Sequence, residues 1–141
     1  MAYHSLLRKV ITLQRKTKLI PPNSAILVAF SGGVDSSSLA VALQRLKEPL
    51  KIKRLALIHI NHLLRVEESY RDENFARSFA QKYSLELFVE RVDVPSLAKK
   101  RGGNIEAVAR EERYRLFEEV RKRRVLTWWQ LPITWGTWWR L

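Results

Sequence analysis

Two rhythms of apolar and polar positions run along this 141-residue chain. One is the short apolar run. Ala25 to Phe30 is apolar on both faces, which suits a buried strand of a parallel sheet. Lys53 to Ile60, centred on Arg54-Leu55-Ala56-Leu57-Ile58, predicts a second strand, and Leu85 to Val92 a third. The other rhythm is helical. Asp35 to Leu46 presents Leu39, Ala40, Val41, Leu43 and Leu46 as a packing face, and Ser69 to Tyr83 turns Phe75, Phe79 and Ala80 inward. Asn104 is placed to cap a helix from Ile105 to about Lys122, whose stripe is Ile105, Val108, Ala109, Leu116, Phe117 and Val120. Ahead of all these, His4 to Leu19 reads as a basic amphipathic helix, stopped by Pro21-Pro22-Asn23-Ser24. Asn61 to Glu68 reads as a polar loop, and Val94 to Gly103 as irregular and basic.

Strand and helix thus alternate, the pattern of an α/β protein with a parallel sheet. Ligands of such sheets sit at the carboxyl ends of the strands. Two loops stand at such ends: the turn at Ser31 and the segment from His59 to Arg65. No internal repeat or low-complexity linker divides the chain, so a single domain is expected.

The first of these ends is the more informative. Ile26-Leu27-Val28-Ala29-Phe30 runs straight into Ser31-Gly32-Gly33-Val34-Asp35-Ser36. Glycines let a backbone approach a ligand closely, and the N–H groups of a following helix point at it, so the segment suits an anion. It is not a Walker A loop, since no Gly-Lys-Ser/Thr follows, nor the dinucleotide Gly-x-Gly-x-x-Gly.

Composition narrows the chemistry. The chain has no cysteine, which removes disulfides, thiolate metal sites and thiol nucleophiles. No apolar run reaches the roughly 18 residues a membrane span needs, and Met1 to Lys9 lacks the apolar core of a signal peptide. A formal net charge of +12 favours a polyanionic partner such as nucleic acid, although a generally basic surface gives the same sum.

Three segments resemble one family. Ser-Gly-Gly-Val-Asp-Ser resembles the pyrophosphatase loop of adenylating enzymes that cleave ATP to AMP and pyrophosphate. His59-Ile60-Asn61-His62-Leu63-Leu64-Arg65 is similar to the His-x-Asn/Asp-His-x-Leu-Arg segment of tRNA(Ile)-lysidine synthetases. Asn104 to Tyr114 is similar to their Glu-x-x-Ala-Arg-x-x-Arg-Tyr helix, with Arg110 and Arg113 three apart on one face. The likeness runs from about Ile11 to Arg124. It implies a truncated, Rossmann-like α/β fold of the adenine nucleotide alpha hydrolase type, a parallel sheet with helices on both faces. It implies that Ser31, Gly32, Gly33, Val34, Asp35 and Ser36 bind ATP, that Asp35 also helps hold Mg²⁺, and that Asp35 and Arg113 serve catalysis. His62, Arg65 and Arg110 become substrate-binding candidates. The implied partners are tRNA(Ile) and L-lysine in the cytoplasm, with no membrane and with a homodimer as a further candidate. The implied reaction is ligation of lysine to the wobble cytidine through an adenylated tRNA. A tRNA thiolase and an amide-forming synthetase of the same fold are rival enzymes, and a non-catalytic ATP- or RNA-binding remnant is the rival of another class.

The likeness stops at the arginine-rich stretch Arg121 to Arg124. All five tryptophans follow it: Trp128, Trp129, Trp135, Trp138 and Trp139. The family has there a strand and a His-His-x-x-Asp-x-x-Glu-Thr segment. Tryptophan has the single codon TGG, which fixes part of the DNA. Read one base earlier, Val125 to Leu141 can encode Gly-Ala-Asp-Leu-Val-Ala-Thr-Ala-His-His-Leu-Gly-Asp-Leu-Val-Glu-Thr, which contains the missing segment. The expected organisation is therefore an incomplete ATP-pyrophosphatase domain over residues 1–124 and an out-of-frame tail over 125–141. Within that tail, Val125 to Leu131 is apolar and β-prone enough to pair as a strand.

Overall fold

The computed structural model describes residues 22–123 and 129–131, together with Arg8, Lys9 and Thr12. Among these residues, four parallel strands form one sheet in the order β3-β2-β1-β4. These are β1 (Ala25–Ala29), β2 (Arg54–Asn61), β3 (Glu86–Arg91) and β4 (Trp129–Leu131). From residue 22 onward the helices of the described residues are α1 (Val34–Arg45), α2 (Val66–Lys82), α3 (Val94–Arg101) and α4 (Ile105–Arg123). The fold is the Rossmann-like α/β arrangement expected from the sequence.

Side-chain alternation along the strands explains the two layers. Ile26 and Val28 of β1 and Leu55 and Leu57 of β2 pack with Leu39, Ala40 and Leu43 of α1 and with Ala76 and Phe79 of α2. Their neighbours Ala25, Leu27, Ala56 and Ile58 face the other way, onto Phe117 and Val120 of α4. Helices therefore cover both faces of the sheet. Strands buried on both sides have no polar face to alternate with, which is why β1 reads as a continuous apolar run.

The structure alters three expectations. Val94 to Gly103 is not irregular: it is the eight-residue helix α3, followed by a turn. Asp93 caps it by accepting the Ser96 N–H at 3.1 Å, Pro95 stands in its first turn, and Gly102 ends it at φ +67°. Phe75 is not inward; it is 48% exposed beside the β1 turn, and α2 begins at Val66, earlier than the predicted Ser69. Ile105 opens α4 but is exposed, while Val108, Leu116, Phe117 and Val120 are buried as expected. The Asn104 cap forms, accepting the Glu106 N–H at 2.8 Å.

A buried carboxylate fastens α3 to α4. Glu112 accepts from Arg101 Nη2 at 2.8 Å and from Arg115 Nε at 2.8 Å. These hydrogen bonds, that of Arg115 foremost, pull its pKa below the usual carboxylate range against the opposing effect of burial. At the other edge, Trp129, Gln130 and Leu131 pair with Ile26, Leu27 and Val28. So part of the apolar tail does add a strand to β1. The predicted helix from His4 to Leu19 lies outside the described residues apart from Arg8, Lys9 and Thr12, which are helical and exposed. Residues 125–128 and 132–141 of the tail lie outside them too.

Candidate functional site

The parallel strands β1 and β2 end side by side, with Ala29 opposite Ile58 and the Phe30 N–H donating to the Ile58 carbonyl at 2.8 Å. Beyond these ends opens a cleft of about 760 Å³, within the range of small-molecule sites. Five regions line it: the end of β1 with its turn, α1 through Ser36 and Leu39, the end of β2 with the loop after it, the start of α2, and α4 through Arg113.

The β1 turn is held by its own chain. Gly32 has φ +93°, a conformation that a residue with a Cβ adopts only under strain. The Ser31 hydroxyl accepts the Gly33 N–H at 3.3 Å and lies 3.1 Å from the Ser36 hydroxyl, which in turn donates to the Gly33 carbonyl at 3.3 Å. Gly33 stands at the N-cap of α1 with no side-chain hydrogen bond to the first turn. Among the described residues no side chain caps the first-turn N–H groups, and the helix dipole favours an anion there. Ser31, Gly33 and Ser36 line the cleft. The side chains of Val34 and Asp35 lie outside the described residues, so the roles expected of Asp35 gain no geometry.

The loop after β2 is built differently. His59 is buried, and its Nδ1 lies 2.8 Å from the Phe30 carbonyl oxygen. A carbonyl only accepts, so Nδ1 carries a proton. Asn61 is buried as well; its Oδ1 accepts the Leu63 N–H at 2.9 Å, and Leu63 itself sits at φ +54°. His62 follows, half-buried, with an Nδ1 that has no hydrogen-bond partner among the described residues. Burial, then the charges of Arg113 and His59, lower its pKa, so the ring is neutral near pH 7. Arg65 lines the cleft and pairs with Glu68 at 3.3 Å.

Of the residues singled out by sequence, Ser31, Gly33, Ser36, His62, Arg65 and Arg113 share this cleft. Gly32 shapes the turn without lining it. Arg110 is separated from Arg113: it is exposed on α4 and is not a lining residue. Sequence reading missed the contribution of α2, whose Glu68, Ser69 and Asp72 also face the cleft. The signal was present, since these polar residues recur at helical spacing just after the His-x-Asn-His segment. Among the described residues no cluster of three or more His, Asp or Glu could hold a metal.

Residues 3–128 match the PP-loop domain family. The chain belongs to that family. A PP-loop domain implies ATP binding, and the first-turn amides above the Ser31–Ser36 turn, uncapped among the described residues, fit a polyphosphate. Similar curated proteins are tRNA(Ile)-lysidine synthases. That of Persephonella marina is 45% identical over 117 residues, which are 83% of this chain and 26% of that protein. That of Clostridium perfringens is 36% identical over 114 residues, covering 81% and 24%. That of Pseudothermotoga lettingae is 41% identical over 102 residues, covering 72% and 22%. The chain thus spans about a quarter of the length of the curated relatives it matches. No helix among the described residues is long and apolar enough to cross a membrane.

Proposed function

We propose that this PP-loop chain is the nucleotide-binding part of a ligase that joins lysine to the wobble cytidine of tRNA(Ile). The observation that carries the reading is the convergence of three separate segments, Ser31–Ser36, His59–Arg65 and the Arg113 turn of α4, on one cleft. The names of the similar proteins point the same way.

In this reading ATP lies across the ends of β1 and β2, with its terminal phosphates on the Ser31–Ser36 turn. The cytidine C2 oxygen attacks the α-phosphorus, the bond to the β-phosphate breaks, and pyrophosphate leaves. The lysine amine then attacks C2, the C2–O bond breaks, and AMP leaves with the electron pair. The residues act by placement and charge. The backbone N–H groups of the turn and the Ser31 and Ser36 hydroxyls take up charge on the departing pyrophosphate. Arg113, in reach of the same cleft, adds a fixed positive charge. Neutral His62 offers a hydrogen bond without a charge of its own. Asp35, at the start of α1, would hold Mg²⁺, which supplies further charge neutralisation when bound. Arg110 and the basic excess of the chain are directed to the tRNA, and the cytoplasm is the compartment in which that substrate is found.

We further propose that residues 125–141 are read out of frame. The family match ends at residue 128, and the tryptophan-rich remainder carries no His-His-x-x-Asp segment in its present frame. Genomic reads across codons 121–124 test this: an unbroken frame unable to encode His-His-x-x-Asp sinks it. The functional reading is tested with ATP, lysine and tRNA(Ile), assaying AMP and lysidine, on the present chain and on its frame-restored form. Lysidine from the restored form is the expected result. ATP binding by both with turnover by neither would favour a non-catalytic remnant and overturn the ligase reading.

A further inference from the structure

One acidic side chain of α2 points into the protein rather than to solvent or to the cleft. Glu73 is 2% exposed. Its Oε1 accepts from Arg91 Nε at 2.9 Å and from Asn61 Nδ2 at 3.2 Å. Its Oε2 accepts from Arg91 Nη2 at 2.8 Å and from Arg77 Nη2 at 3.4 Å. The Arg91 guanidinium is itself seated over the Tyr70 ring, 5.1 Å from its centroid. Hydrogen bonds from Arg91, then from Asn61, outweigh burial and hold the Glu73 carboxyl down to about 2. Glu73 is therefore an acceptor and nothing else at any working pH.

That restriction passes to Asn61. Its amide has a donor end and an acceptor end of nearly the same shape. Turned one way, it donates to Glu73 and accepts the Leu63 N–H. Turned the other way, it would set its oxygen against a carboxylate and its NH₂ against an N–H. The carboxylate thus permits a single orientation. The oxygen so fixed meets Leu63, a non-glycine residue at φ +54° that needs an outside hold to keep this backbone. Leu63 lies directly between His62 and the Leu64-Arg65 pair, all cleft residues.

We propose that Glu73 is a positioning residue of the nucleotide site, fixing the sense of the Asn61 amide and through it the turn that carries His62 and Arg65. This rests on the reading of the cleft as an ATP site. The competing role, a mere tie between α2 and β3, is weakened by magnitude: buried ion pairs replaced by apolar groups of similar volume often cost no stability.

The test compares four variants of the full chain with the parent by ATP titration and by hydrogen exchange at the Leu63 amide. Glu73→Met with Arg91→Met keeps the volume and removes the acceptor. ATP affinity is expected to fall about tenfold and Leu63 exchange to quicken by a similar factor, with Val28 in the core unchanged. Glu73→Gln, which keeps an oxygen for Asn61 and Arg91, restores most of both. Asn61→Leu leaves the Glu73 ion pairs in place and reproduces the loss, and combining it with the Met pair adds nothing further. A folded Met pair with wild-type affinity and wild-type Leu63 protection overturns the proposal. Should that variant not fold, normal affinity and normal Leu63 protection in Asn61→Leu overturn it instead. Absence of ATP binding by the parent chain would instead count against the ATP reading, while the Leu63 amide would still report the positioning.

Discussion

The two turns that frame the cleft solve one problem in opposite ways. Each must hold a backbone with positive φ at the end of a parallel strand, Gly32 at +93° after β1 and Leu63 at +54° after β2. After β1 the residue type itself supplies the conformation, and the stabilising hydrogen bonds run between Ser31, Gly33 and Ser36, all within five residues. After β2 a leucine holds it, supported by Asn61 and, behind Asn61, by Glu73 and Arg91 from two other elements. One turn is encoded locally and the other by tertiary contacts. A local turn survives damage elsewhere in the fold; a turn held from a distance fails whenever its support does.

The largest expected effect falls on neither turn but on the group that faces both. Arg113 lines the cleft from α4. If the cleft takes a polyphosphate, truncation of this charge removes a charge-assisted hydrogen bond worth about 1.5–3 kcal/mol. Arg113→Met is expected to weaken ATP binding by roughly ten- to a hundredfold, measured by calorimetry, with the melting temperature unchanged. Arg110→Met, on the exposed surface outside the cleft, should leave ATP affinity within a factor of about two by the same measure. Equal losses in the two variants would mean that the cleft does not select between them.

The next effect separates the glycines of the local turn. Alanine at Gly32 must adopt a left-handed backbone, costing about 1–2 kcal/mol, although space for its Cβ exists 3.5 Å from Phe75. Alanine at Gly33, whose φ is −74°, meets only the Ser31 hydroxyl at 3.5 Å. Gly32→Ala should therefore lower ATP affinity by about five- to thirtyfold through the strained turn, and Gly33→Ala by far less. If Gly33→Ala proves the worse of the two, close approach of a ligand to that Cα, rather than backbone freedom, governs the turn.

The same contrast explains what was legible in the sequence. The β1 turn could be read because everything that shapes it lies within a few adjacent residues. The apolar runs of β1 and β2 and the stripe of α4 were legible because burial imposes a period. The support of the second turn was not, since nothing in the sequence ties Glu73 to Asn61 or to Arg91. The helix α3 was overlooked because its basic surface resembles a loop, although Asp93, Pro95 and Gly102 mark its start and end. Phe75 misled for the opposite reason: an aromatic at helical spacing reads as core, yet it lies on the rim of the packed face, exposed beside Gly32.

The smallest expected effect is one of pH, and it belongs to the second turn alone. In the proposed reading the first turn meets phosphate through backbone N–H groups and hydroxyls, which do not titrate in the working range. The second carries His62, whose pKa burial and the charges of Arg113 and His59 push below 6.5. A phosphate entering the cleft supplies the opposite charge and favours the imidazolium, raising that pKa in the complex. Binding then takes up a fraction of a proton, so affinity attributable to His62 rises as pH falls through the interval between the two pKa values. The terminal phosphate of ATP titrates nearby, so the informative quantity is the ratio of wild-type to His62→Gln affinity. That ratio should be near one at pH 8 and grow by a few-fold toward pH 5.5, since a one-unit rise in pKa corresponds to at most about tenfold. A ratio that stays flat would mean that His62 does not face the phosphates. The charge selectivity of the cleft would then rest on Arg113 and the amides of the first turn.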